Sequence, residues 1–133
     1  MAPEQLTLDL DEGRRLRDEI LQAMRVNDPQ LAERVRKYGH HLCHKNIGYA
    51  VYGIPHVFTA DDLRERLPME VVENIKDKRF FGAVLGRKEK FIPVGWIRTR
   101  APGNHARQIR LFTTPDYLAV VRKYQSDYPE LFR

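Results

Sequence analysis

Apolar residues recur at three- and four-residue intervals early in the chain. Leu10, Leu16, Ile20, Leu21 and Met24 sit among charges, the spacing of one face of an amphipathic helix. The first ten residues read as a short tail. Asn27-Asp28-Pro29 ends that helix and opens another, with Asp28 as the N-cap and Pro29 at the first helical position. The second helix carries Leu31, Val35, Tyr38 and Leu42 inward, and Gly39 weakens its later part. From Asn46 to Pro55, aromatic and β-branched residues with two glycines fit a strand, an irregular loop or a helix tail equally.

The pattern sharpens at Phe58. Thr59 is placed to cap a helix, with Asp62 three residues on in the manner of a capping box and acids filling the first turn. That helix ends at Leu67, before Pro68. A short helix follows over Met69 to Ile75. A third, from Lys78 to Lys88, puts Phe81, Val84 and Leu85 on one side, with Gly82 and Ala83 permitting a close neighbour. Phe91 to Thr99 reads as a strand, Ala101 to His105 as a turn, and Arg107 to Thr113 as a second strand in which Ile109 and Leu111 alternate with Arg110 and Phe112. Trp96, beside Val94, is expected in the core between helices and hairpin. The chain closes with a helix that begins near Asp116 and precedes Pro129.

Composition narrows the class. A length of 133 residues accommodates one domain, and 42% hydrophobic with 31% charged residues fits a modest core. No apolar run approaches bilayer-spanning length, and the N-terminus lacks the features of a secretory signal, so a cytoplasmic location without membrane attachment is expected. One cysteine, Cys43, excludes an internal disulfide. The net charge of +5 is unevenly spread: Lys76 to Arg110 alone carries +8, leaving −3 for the rest. A concentration of cations in one segment favours an anionic partner.

The order helix, short helix, basic helix, strand, turn, strand resembles a winged helix-turn-helix domain. Phe58 to Leu63, Phe81-Gly82-Ala83-Val84-Leu85, Pro93-Val94-Gly95-Trp96 and the basic stretch Arg98 to Arg110 are also similar to small winged-helix proteins of bacteriophage and mobile-element genomes. The fold class expected is α+β: three helices plus a β-hairpin wing over residues 55–115, an N-terminal helical segment over 11–54, a tail over 1–10 and a C-terminal helix over 116–133. Such a unit lays a helix in the major groove and its wing on the backbone, where Arg and Lys neutralise phosphates. The expected nucleic-acid-binding residues are Lys78, Arg79, Arg87, Lys88, Arg98, Arg100, His105, Arg107 and Arg110. The expectation is a DNA-binding protein without catalysis or cofactor, preferring duplex over single strands, in replication, recombination or transcription control of a phage or bacterium. The helical extension outside the wing is a natural element for a homodimer.

Gln5-Leu6-Thr7-Leu8-Asp9-Leu10 resembles the peptide by which bacterial replication and repair proteins bind the sliding clamp. That resemblance implies Gln5, Leu6, Leu8 and Leu10 as partner-binding residues, and an alternative role as an adaptor docking on a replisome component. His40 and His44 have the spacing of zinc ligands on a helix. However, the other candidates are His41, Cys43, His56 and His105, with no second paired cluster, so no metal is expected. Asp61, Asp62 and Glu65 could serve a metal-dependent nuclease, but capping explains their position more simply. The Gly-rich phosphate loop and the dinucleotide fingerprint are absent from the sequence.

Overall fold

The computed structural model describes residues 3–75, 79–87, 89–98 and 108–132. Within them run α1 (Pro3–Arg25), α2 (Leu31–His44), the single turn α3 (Tyr49–Tyr52), α4 (Ala60–Arg66), α5 (Met69–Asn74), α6 (Arg79–Leu85), strands β1 (Ile92–Arg98) and β2 (Gln108–Thr113), and α7 (Leu118–Asp127). The protein is thus α+β, mostly helical, with one two-stranded antiparallel sheet among the described residues. No helix among them is long and apolar enough to cross a membrane.

Local chemistry sets most boundaries. Asn27 ends α1 in a left-handed conformation (φ 55°), while the Asp28 amide donates to the Ala23 carbonyl at 2.8 Å. The Asp28 carboxylate accepts the Gln30 amide at 2.8 Å, but the N-cap of α2 is Gln30, without a side-chain cap, where Asp28 was expected to cap it. Regular helix nevertheless starts only at Leu31, because Pro29 and Gln30 form a tighter turn closed by the Leu31 amide on the Asp28 carbonyl. Helix α2 passes through Gly39 undisturbed. A Cβ there would come within 3.3 Å of the Phe91 ring and 3.4 Å of Phe58, so glycine makes room for two core aromatics. At α4, Thr59 and Asp62 form the reciprocal capping box, and the Asp62 carboxylate also accepts the Tyr52 hydroxyl at 2.9 Å.

Two apolar clusters hold these elements. The larger gathers Leu16 and Ile20 of α1, Val35, Tyr38 and Leu42 of α2, and Phe58, Leu63, Val71, Phe81, Val84 and Phe91 around them. The smaller, on the opposite side of the hairpin, joins Val94 and Leu111 to Val121, Phe132, Ile54 and Val57. Consecutive residues Leu111 and Phe112 are both buried because each hairpin face is covered at its base, one by the C-terminal helix and one by the α4–α6 layer. Phe58 and Phe112 exchange backbone hydrogen bonds at 3.0 and 2.8 Å, fastening the segment before α4 to the hairpin.

Two further expectations are corrected and one open reading is resolved. Helix α1 already begins at Pro3, so residues 3–10 belong to it where a separate tail was expected. Residues 49–52, left open between strand and helix, form one helical turn closed by Gly53 at φ 73°. Trp96 is 39% exposed, outside the core. The pairing skips Val94, which makes a β-bulge between Pro93 and Gly95. Beyond the bulge the alternation shifts by one residue, so Gly95 and Ile97 take the inward phase and Trp96 turns outward.

Candidate nucleic-acid interface

The β-hairpin carries the feature that most distinguishes this surface. Trp96 lies opposite Arg110 in the ladder, and the Arg110 guanidinium sits 5.0 Å above the indole ring. A cation over an indole face is held by the ring quadrupole, fixing both groups at the surface. Arg110 is exposed and forms no ion pair among the described residues. An exposed aromatic plane and a cation without an ion-pair partner among the described residues therefore share one spot.

Beside it, an open groove of about 400 Å³ separates α4 and α6 from the hairpin. Arg110 closes one side. On the other stands Arg64 of α4, whose guanidinium lies 4.9 Å over the Phe81 ring and 3.4 Å from the buried Asp61 carboxylate. Sequence reasoning missed both Arg64 and the outward turn of Trp96. The Pro-x-Gly spacing around Val94 was the available signal of a bulge.

The remaining expected contacts divide. Arg79 and Arg87 are exposed at the two ends of the α6 segment, and Arg87 has Glu89 at 3.6 Å. Arg98 ends β1 opposite Gln108. Lys78, Lys88, Arg100, His105 and Arg107 lie outside the described residues. Gln5, Leu6, Leu8 and Leu10 are part of the α1 backbone. Helix α6 is held from behind: buried Arg36 of α2 donates through Nε to the Val84 carbonyl at 3.0 Å and through a terminal nitrogen to Ala83 at 3.3 Å, while Glu33 takes a third bond at 2.9 Å. Sequence reasoning had no local cue for Arg36.

The histidine cluster is engaged in other ways. His40 pairs with Asp116 at 3.3 Å, and His44 Nδ1 bonds the Tyr117 hydroxyl. His56 stacks on Tyr117 at 3.9 Å and donates from Nδ1 to the Cys43 carbonyl, which can only accept. Among the described residues no three metal-ligating side chains gather at one point. Asp61 and Asp62 are buried at the start of α4, in the ion pair and capping box already described.

Cys43 is fully buried, its thiol donating to the His56 carbonyl at 3.1 Å. Burial pushes this thiol above its ordinary value, which disfavours the nucleophilic thiolate. A raised value in the fold stabilises the protonated form, so this contribution is complete below the unfolded thiol pKa of about 8.5 and is lost as pH rises toward the folded value. Denaturant midpoints are expected to fall above about pH 8.5, and to fall less steeply between about pH 8.5 and 9.5 in Cys43→Ala. Equal slopes would assign the alkaline loss to other groups, such as Tyr38, whose phenol burial also pushes up.

Comparison with protein-family models, with curated proteins and with solved structures finds no match to this chain.

Proposed function

We propose that the protein binds nucleic acid without catalysis, using α4 to α6 as a helix-turn-helix and the β1–β2 ribbon as its wing, in replication, recombination or transcription control of a phage or bacterium. The order of elements supports this reading, as does the Phe58–Phe112 pairing that ties the wing to the helical unit. The excess charge of the Lys76 to Arg110 segment supplies the electrostatic attraction. The observation that carries the reading is the Arg110–Trp96 pair, a cation and an aromatic plane presented together on the exposed ribbon face.

The test is fluorescence anisotropy with labelled DNA, comparing the protein with a combined Trp96→Ala/Arg110→Ala variant. Both side chains lie at the surface, so the loss of stability should stay near about 1–2 kcal/mol and leave the variant folded. Affinity should fall at least about tenfold, since a phosphate contact and an apolar surface are removed together. Unchanged affinity in a folded variant would refute this surface.

A further inference from the structure

The groove between α4, α6 and the hairpin has a chemical character of its own. Phe81, Phe91 and Phe112 form part of its lining, and Arg64 and Arg110 stand at its rim. Both guanidinium groups rest on aromatic faces, at 4.9 and 5.0 Å from the ring centres. Arg64 is 39% exposed, and its pair with Asp61 uses one terminal nitrogen, which leaves other donors to face outward.

The α6 wall is bare at Gly82. A Cβ built there meets nothing within 4 Å, so neither packing nor a close helix contact requires glycine. Gly82 is also absent from the positive-φ glycines, so the backbone does not require it either. Glycine is the poorest helix former after proline, yet here it stands in the middle of a seven-residue helix. It leaves open volume in the groove that it lines.

An apolar, aromatic-lined slot with a doubly cationic rim suits a planar ring that carries an anion. Bases inside a duplex keep their faces stacked on their neighbours, whereas an unpaired nucleotide offers both a free π-face and a phosphate. We propose that this groove binds an unpaired nucleotide, its base against the apolar floor that the edges of the buried phenylalanines share with Gly82, Leu85 and Pro93, and its phosphate at Arg64 and Arg110. The protein then prefers DNA with a single-stranded extension over blunt duplex. This deepens the proposed function and rests on it.

Trp96 is the chain's single tryptophan, so its emission reports on the groove's edge alone. The full-length protein is titrated with a blunt duplex and with the same duplex bearing a thymidine extension, following anisotropy and tryptophan emission. The extension is expected to tighten binding at least about fivefold and to quench emission, as one stacked base would. Gly82→Leu fills the groove and should erase that advantage, read as the ratio of the two affinities measured on the same variant. Arg64→Gln, which keeps a hydrogen-bond donor for Asp61 and leaves the groove open, should reduce the advantage as well. An extension that adds no affinity, or an advantage that survives both variants, would overturn the proposal while leaving duplex binding intact. Failure to bind either DNA would overturn the broader reading too.

Discussion

Replacing Phe58 by alanine is expected to lower unfolding free energy by about 3–5 kcal/mol, a large share of the stability of a domain this size. The ring is fully buried and packs edge-on to Phe91 at 5.3 Å and against Phe112 at 6.2 Å. It also occupies the space that Gly39 leaves on α2. Few residues join so many elements: α2, the segment entering α4, and the hairpin meet at this one ring. Removing it leaves a cavity whose walls belong to separate elements and cannot collapse together, the situation in which large-to-small substitutions are most costly. Phe58→Leu, which retains much of the volume, should cost distinctly less. Urea denaturation followed by circular dichroism measures both. A loss below about 1 kcal/mol for Phe58→Ala would show that the cluster is not organised around this side chain.

Arg36→Met is expected to cost about 2–3 kcal/mol, and to act on α6 in particular. Methionine replaces the length of the side chain without its donors, leaving the Val84 carbonyl buried without its side-chain partner at the end of α6. Last-turn carbonyls have no partner within their own helix, and a cation there also opposes the negative end of the helix dipole. Arg36→Lys, which keeps the charge but lacks the planar fork, should recover part of the loss. Hydrogen exchange should show α6 opening more readily in Arg36→Met, with α1 and α2 protected nearly as before. Uniform loss of protection would mean that the bond supports the whole fold and has no special hold on α6.

What could be foreseen followed the range of each interaction. The Thr59–Asp62 cap was legible because both partners lie within one turn, and the apolar periodicity of α1 and α2 predicted the burial of Leu16, Ile20, Val35, Tyr38 and Leu42. The order of helices and strands from Thr59 to Thr113 followed for the same reason. Trp96 was expected in the core because its outward turn depends on which residue the ladder skips: the Pro93-x-Gly95 spacing signals a bulge, but pairing with a strand more than ten residues away fixes it. Arg36 acts on carbonyls 47 and 48 residues further along the chain, a distance at which sequence pattern carries no signal. Gly39 read as a weakness in α2 until the two rings packed against it were known. At the candidate interface Arg110 was anticipated as a cation, but its alignment with Trp96 and the groove beside Arg64 required the folded hairpin.

The salt dependence of DNA affinity decides whether the cationic segment meets phosphates. Each phosphate neutralised on a duplex contributes about −0.9 to the slope of log affinity against log salt, so about five contacts from the basic segment give a slope near −5. Affinity should then fall about five-hundredfold between about 50 and 200 mM salt. A slope near zero, or no detectable binding at the lower salt concentration, would contradict a nucleic-acid-binding role.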